Sequence, residues 1–294
     1  MQPISSFFWR CPSCSLALNY CDGAWTCENK HSFDKAKEGY VNLLLAQHRN
    51  SKEPGDSKAM ITARRRFLSE GYYQPLMDEI VAALVKHTQA GVQSKPESQE
   101  NTLSLFDAGC GEGQYLSAIF SGLVNQGITP KVSGVDISKP AVQKAAKLLK
   151  QGQFAVASTY SVPLCSATQD AVVQVFAPSS EQEIHRILDD QGLWIKVSPG
   201  PEHLFELKQK VYDTPEKHTV DTLVPSGFTL LETKSLTFPM NLSSPEIREA
   251  LLMMTPFYWQ ISETKKDALL ASLMSLTADF HIQLFSKALP NTGL

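Results

Sequence analysis

Residues 107–113, Asp-Ala-Gly-Cys-Gly-Glu-Gly, constrain the fold of this chain more than any other segment. The apolar run at 103–106 predicts a short buried strand before them, and the pattern at 114–123 predicts a helix after them. Glycine at every second position lets the backbone turn tightly and lie flat against a ligand, because glycine has no Cβ. The free N–H groups at the start of the helix point into the same turn. This strand–turn–helix unit predicts a nucleoside-binding site at Asp107, Gly109, Gly111 and Gly113.

A second acidic residue, Asp136, ends the next predicted strand at 131–136. An acid at this place can accept hydrogen bonds from both ribose hydroxyls through its two oxygens. Two plainer interpretations stay open: glycine turns also occur without a ligand, and Asp136 could simply cap the helix predicted at 140–150, as could Ser138. The spacing D-x-G-x-G-x-G differs from the dinucleotide pattern G-x-G-x-x-G and resembles motif I of the S-adenosylmethionine (SAM) dependent methyltransferases. The sequence therefore predicts SAM as the cofactor.

The N-terminal residues carry the metal-binding pattern C-x2-C-x12-C-x3-H. Two pairs of ligands, each close in sequence and separated by a short intervening segment, can form a tetrahedral zinc site. Because the protein supplies all four ligands, the pattern predicts a structural rather than a catalytic ion. A module of this size buries too little apolar surface to fold alone. Zinc binding would therefore supply the free energy of folding. Cys21 is a weaker alternative ligand, and buried reduced cysteines are the plainer alternative. The predicted ligands are Cys11, Cys14, Cys27 and His31, with Leu16 and Trp25 as the small core.

Composition and length describe a folded protein with a substantial core. The 294 residues suffice for one large domain, or for one ordinary domain and a small module, and 43% of them are hydrophobic. No apolar run approaches the roughly 20 residues of a membrane helix, and the N-terminus lacks the pattern of a secretory signal. We therefore expect a cytoplasmic protein with no membrane contact, in which the six cysteines serve metal binding or packing.

Positive charge is concentrated in residues 30–66, which we call the basic strip. The whole chain has a net charge of −3, which argues against nucleic-acid binding over its entire surface. The basic strip nevertheless holds nine Lys or Arg residues against four acids. A local excess of positive charge is what contact with a phosphate backbone needs, although a solvated helix face is the plainer alternative.

The remaining elements alternate between helix and strand, which predicts an α/β fold with a doubly wound, Rossmann-like sheet. Asp56 or Ser57 is expected to cap a helix that ends at Gly71, and a second helix begins at Gln74, before a loop at 89–102. Further strands are predicted at 154–157, 171–176, 193–197, 229–238 and 280–286, and further helices at 181–188, which Gly192 closes, and 245–253. The predicted organisation is a zinc module at 1–45, a basic helical linker and loop at 46–101, and a SAM-dependent methyltransferase domain at 102–294.

Taken in order, several segments together resemble the bacterial RlmA family, the 23S ribosomal RNA guanine-N(1)-methyltransferases. They are the zinc spacing, residues 35–44, the turn at 54–57, the segment 63–65, the glycine turn, and residues 199–204 and 254–259. The resemblance covers nearly the whole chain. It implies a guanine in a 23S rRNA stem-loop as substrate, RNA held by the zinc module and the basic strip, and a homodimer. It also implies SAM contacts at Tyr73, Tyr115, Leu116 and His203.

The sequence departs from the pattern of this family at 172–179 and 158–164, so the target pocket is expected to differ in detail from that of the family. The reaction implied is an in-line attack by guanine N1 on the methyl group of SAM, and because N1 carries a proton, a general base would help. Glu181, Glu202 and His203 lie within reach by chain position, but none is assigned, so the catalytic residue stays unknown. Rival hypotheses are a methyltransferase acting on tRNA or a small molecule, and a non-catalytic zinc RNA-binding protein.

Overall fold

The computed structural model describes residues 9–45, 55–92, 101–242 and 244–288, with the side chains of 88–92 excepted. The strands are β1 (Asn19–Cys21), β2 (Ala24–Thr26), β3 (Ser32–Asp34), β4 (Val41–Asn42), β5 (Thr102–Ala108), β6 (Thr129–Asp136), β7 (Gln153–Val156), β8 (Gln169–Val175), β9 (Leu188–Pro199), β10 (Phe228–Asn241) and β11 (Ser275–Lys287). The helices are α1 (Lys58–Ser69), α2 (Gln74–Val92), α3 (Gln114–Asn125), α4 (Lys139–Leu148), α5 (Glu181–Ile187), α6 (Phe205–Val211), α7 (Pro245–Met253) and α8 (Glu263–Ser272), with a 3-10 helix at Pro256–Trp259.

Within the described residues, eight strands form one sheet in the order β10-β11-β9-β8-β5-β6-β7-β4. The strands from β9 to β4 run parallel to one another, while β11 and β10 are antiparallel to their neighbours. The order reverses direction at β5, so the carboxyl ends of β5, β6 and β8 meet at one edge, where α/β proteins bind ligands. The predicted doubly wound α/β fold is confirmed.

Several predicted boundaries were wrong. The helix α2 continues through the predicted loop as far as Val92, and the rest of that loop up to residue 100 lies outside the described residues. Gly192 does not close α5, because α5 ends at Ile187 and Gly192 lies inside β9. The final two strands form an antiparallel pair of 14 and 13 residues, longer than predicted, because cross-strand pairing rather than local sequence sets their length. Among the described helices, none is both long and apolar enough to span a bilayer.

The zinc module packs directly on the main sheet. Strand β4 of the module is the outer strand of that sheet, where Val41 pairs with Ala155. Trp9 is 1% exposed and forms a bridge with Leu164, and the Arg10 N–H donates to the Pro163 carbonyl at 2.8 Å. Trp9 thus belongs to one apolar cluster with side chains of both parts.

Of the two residues predicted to form the small core of the module, one is buried and one is exposed. Trp25 is 7% exposed, as expected, but Leu16 is 38% exposed. Leu18 is buried in its place, at 3% exposure, since its N–H pairs with the Trp9 carbonyl and carries it into the cluster.

Replacing Trp9 tests how strongly the module and the sheet stabilise each other. A Trp-to-Ala change in a core costs about 3–5 kcal/mol, so Trp9→Ala should lower the unfolding free energy in urea by about that much. The matched control is Trp259→Ala, because Trp259 is 67% exposed, and it should cost no more than about 0.5 kcal/mol. Similar losses in the two variants would contradict the packing argument.

Candidate active site and zinc cluster

The four predicted zinc ligands meet at one point. The ligand atoms of Cys11, Cys14, Cys27 and His31 all lie within 4.8 Å of one another. The Cys14 and Cys27 sulfurs are 3.6 Å apart, and both the Cys11 and the Cys27 sulfur lie 3.5 Å from Nδ1 of His31. A tetrahedral ion with metal–sulfur bonds of about 2.3 Å has edges of about 3.8 Å, so these distances suit a metal and are far too long for a disulfide.

Tight turns bring each ligand pair together. The Ser15 N–H donates to the Cys11 carbonyl at 2.8 Å, and the Lys30 N–H donates to the Cys27 carbonyl at 2.9 Å. A backbone hydrogen bond from Leu16 lowers the pKa of the Cys14 thiol to about 6, which favours the thiolate that binds metal. Cys21 is exposed and its thiol donates to Asp22 instead. Cys21, the weaker alternative ligand, is not among the four residues whose ligand atoms lie together.

The glycine turn between β5 and α3 adopts the backbone that its sequence predicts. Gly109, Gly111 and Gly113 all have positive φ, at 84°, 52° and 85°. A Cβ on Gly109 would lie 2.4 Å from the Ala177 Cβ, and one on Gly113 would lie 2.9 Å from the Ala145 Cα. Glycine is thus required here both by backbone conformation and by the close approach of neighbouring elements.

Asp136 joins the end of β6 to the glycine turn. Its Oδ2 accepts a hydrogen bond from the Gly111 N–H at 3.0 Å, and its Oδ1 accepts one from the Ser138 N–H at 2.7 Å. The second bond closes a turn that leads into α4, and the N-cap residue of that helix is Ser138 rather than Asp136. A carboxylate has about four acceptor sites, so two remain for the hydroxyls of a ligand.

A cavity of about 850 Å³ opens beside this turn. Of the nine predicted cofactor residues, seven line it, whereas Gly113 packs on α4 and Leu116 is fully buried in the core. The seven are Tyr73, Asp107, Gly109, Gly111, Tyr115, Asp136 and His203.

Buried acids give this cavity a negative character. Asp107 is 3% exposed, and burial together with the neighbouring Asp136 raises its pKa to about 7. Glu112 is 2% exposed, burial raises its pKa to about 7, and its Oε2 has no hydrogen-bond partner among the described residues. Acids buried in this way favour a ligand that carries positive charge.

His203 is held by two hydrogen bonds. Its Nδ1 accepts from the Asp279 backbone N–H at 3.2 Å, so the ring proton lies on Nε2, which is 3.4 Å from the Tyr73 hydroxyl. Burial and the nearby His218 lower the pKa of His203 to about 4. The imidazole is therefore neutral near pH 7 with its acceptor nitrogen already used, which suits a positioning residue rather than a general base.

The other two residues considered as bases lie outside the cavity wall. Glu202 forms an ion pair with Lys217, and Glu181 is an exposed residue that begins α5. Neither lines the cavity.

Sequence reasoning missed part of the cavity wall and misplaced one basic residue. Arg64 was expected in the RNA-binding basic strip, but it lines the cavity and forms an ion pair with Asp56. Arg49, Lys52 and Glu53 of that strip lie outside the described residues. The missed lining residues include Phe176 just after β8, Lys208 on α6, Glu216 and His218 in the segment that follows α6, and residues 254–257 after α7.

Comparison with known proteins identifies the two parts of the chain. The zinc-ribbon family described as "RlmA, N-terminal" matches residues 9–52, and the family described as "Methyltransferase domain" matches residues 99–234. The fold and the site thus define a SAM-dependent methyltransferase with an N-terminal zinc ribbon, which confirms SAM and structural zinc as its cofactors.

Two curated relatives extend the match over most of the chain. "Putative 23S rRNA (guanine-N(1)-)-methyltransferase YxjB" of Bacillus subtilis (strain 168) is 33% identical over 85% of this chain and 86% of its own length. "23S rRNA (guanine(748)-N(1))-methyltransferase" of Streptomyces fradiae is 32% identical over 74% of each chain. The chain belongs to the RlmA family of methyltransferases.

Substitution of Gly109 tests the glycine turn as the cofactor cradle. Gly109→Ala forces the turn away from Ala177, so we expect SAM affinity, measured by calorimetric titration, to fall roughly tenfold or more. Gly127→Ala is the matched control, because Gly127 also has a positive φ, 73°, but no atom lies within 4 Å of its added Cβ. Both variants should lose stability through backbone strain, and only the first should lose SAM affinity. Equal SAM affinity in the two would refute the cradle.

Proposed function

We propose that this protein transfers the methyl group of SAM to N1 of a guanine in a stem-loop of 23S rRNA. The observation that carries the proposal is one chain that joins a Cys3His cluster to a cavity built on the glycine turn of a methyltransferase fold. The relatives that share both parts over most of their length are named for methylation of this atom in this RNA. A methyltransferase acting on a small molecule would leave the zinc module without a role, and the names of the relatives favour 23S rRNA over tRNA.

Different lining residues are proposed to contact different parts of SAM. We infer that Asp136 accepts the ribose hydroxyls, because two acceptor sites remain free, and that the glycine turn lies against the nucleoside. The buried Asp107 supplies negative charge for a cationic cofactor, while Tyr73 and His203 fix one wall. When bound, SAM supplies a methyl group already activated on a sulfonium. The chain therefore contributes mainly alignment and exclusion of water.

RNA contact is proposed for the zinc module and the adjoining end of α4. A polar groove of about 330 Å³ lies between them, lined by Lys35, Lys37 and Lys150. Tyr20 is 38% exposed in this groove, with the Lys35 ammonium 5.1 Å from its ring centre. Lysines can hold phosphates while an exposed aromatic ring stacks on an unpaired base. We further propose the homodimer implied by the family, which light scattering of the purified protein tests.

Methyl transfer from labelled SAM to unmethylated 23S rRNA tests the function directly. We expect label at a single guanine, and because a methyl on N1 blocks base pairing, reverse transcription should stop there. A guanine-to-adenine change at that position should abolish both signals, and tRNA serves as the parallel substrate. Label on tRNA alone, or none on either RNA while SAM still binds, would overturn the proposed substrate and leave the fold and cofactor intact.

Loss of one zinc ligand should separate RNA binding from SAM binding. Cys14→Ser removes a thiolate from the cluster, so we expect zinc release, measured by metal analysis, and weaker binding of the rRNA hairpin. SAM affinity should change little, because none of the described residues of the module lines the cavity. The exposed Cys21→Ser is the matched control and should keep both zinc and RNA affinity. Unchanged RNA binding by the zinc-free variant would refute the role of the module.

A further inference from the structure

One part of the cavity wall comes from elements that do not belong to the glycine turn. Phe176 follows β8, Lys208 lies on α6, and Glu216 and His218 lie in the segment after α6. Three rings form a row: the Phe176 and His203 ring centres are 5.4 Å apart, and those of His203 and His218 are 6.4 Å apart. An aromatic ring, an ammonium and an imidazole together form a surface that suits a nucleobase with oxygen and nitrogen on its edge.

The backbone of Phe176 has an unfavourable conformation. Its φ is 53°, in the left-handed region, where a residue with a Cβ costs about 1–2 kcal/mol. The Phe176 N–H donates to the Val197 carbonyl at 3.1 Å, which holds this conformation. The ring is 42% exposed although it is large and apolar. Strained backbone and an exposed ring at the end of a sheet strand indicate a residue placed for a ligand rather than for the core.

His218 differs from His203 in having its ring nitrogens free. Among the described residues, no hydrogen bond involves the His218 side chain, whereas both nitrogens of His203 are engaged. The charged and titratable groups that face it are Lys208 of α6, Asp279 of β11 and His203. Burial, followed by Lys208, lowers the pKa of His218 from the ordinary 6.5, and Asp279 opposes this only in part. A neutral imidazole with a free acceptor is therefore present in the cavity near pH 7.

We propose that His218 is the general base that takes the proton from N1 of the target guanine, while Phe176 stacks on the base. This rests on the proposed function. The N1–H bond breaks as the proton moves to the imidazole, and the N1 electron pair forms the new bond to the methyl carbon. The carbon–sulfur pair stays on sulfur, giving S-adenosylhomocysteine, and the imidazolium later releases its proton to water.

Lys208 stabilises the charge that this step creates. Removing the N1 proton places negative charge on guanine O6, which can then accept a hydrogen bond from an ammonium. The Lys208 Nζ donates one hydrogen bond to the Glu216 carbonyl at 2.9 Å, and an ammonium has two further donors. Burial lowers the pKa of Lys208. Its ammonium lies close enough to His218 to lower the pKa of that imidazole, which keeps the base unprotonated.

Single-turnover methylation of the rRNA hairpin at saturating SAM tests His218. His218→Gln should lower the rate of methyl transfer about 100-fold or more, because general base catalysis contributes about 10²–10⁴-fold. SAM affinity and thermal stability should change little, since this half-buried side chain makes no hydrogen bond to the described chain. The matched control is His185→Gln, because His185 packs on Phe228 and does not line the cavity. That variant should react at the wild-type rate.

The dependence of the rate on pH distinguishes a base from a residue that only shapes the cavity. In the wild type, the rate should fall as pH drops through the His218 pKa, below 6.5, because the imidazolium cannot accept a proton. In His218→Gln the break in the pH–rate profile at this pKa should disappear, and the much lower rate should instead rise steadily with pH as hydroxide removes the N1 proton. A rate within threefold of the wild type, or an unchanged acid limb, would overturn the inference.

The wild-type reaction separates the two proposals. If the wild type methylates guanine N1 and His218→Gln does so equally well, the proposed function stands and the base assignment is wrong. If the wild type places no methyl on guanine N1 while it still binds SAM, the proposed function is wrong and the base assignment falls with it.

Discussion

The structure depends on how closely its glycine turn approaches the neighbouring strand ends. Gly109 leaves no room for a methyl group beside Ala177, and Gly113 leaves none beside Ala145. The Asp136 carboxylate also holds the turn in place, because it accepts a hydrogen bond from the Gly111 N–H. These contacts bring the ends of β5, β6 and β8 together, and the rest of the cavity is arranged around that point. A bulkier turn would separate the strands that have to hold the cofactor and its acceptor.

The parts of the site that the sequence predicted are those built from local chain. The glycine turn, the acid after β6 and the four zinc ligands each lie in short segments whose spacing dictates their geometry. The missed parts depend on contacts between distant segments. His218 reaches the cavity only because the segment after α6 folds back against His203, which is held by β11. Nor does sequence spacing indicate that Phe176 adopts a left-handed backbone.

The zinc cluster and the sheet stabilise the same packing. Strand β4 is only two residues long, so it would not be ordered by its own propensity. The metal fixes the chain on one side of these residues, and the main sheet fixes it on the other through Val41 and Leu164. Since metal binding in such modules is coupled to folding, zinc also determines where the lysine groove lies relative to the sheet. Under the proposed role of the groove in RNA contact, a structural ion would control substrate binding without taking part in the chemistry.

The buried acids explain why the cavity is suited to a cationic cofactor. Burial raises the pKa of Asp107 to about 7, far above the ordinary 3.8, so this group destabilises the fold as pH rises above the lower value. Glu112 follows the same direction, and one of its oxygens has no partner within the described chain. A ligand with positive charge offsets this cost, because it favours the ionised form of each acid. We infer that part of the binding free energy of a sulfonium cofactor comes from relief of this electrostatic cost, which is already present in the folded protein. A product without the sulfonium charge provides less of that relief, which favours its release after methyl transfer.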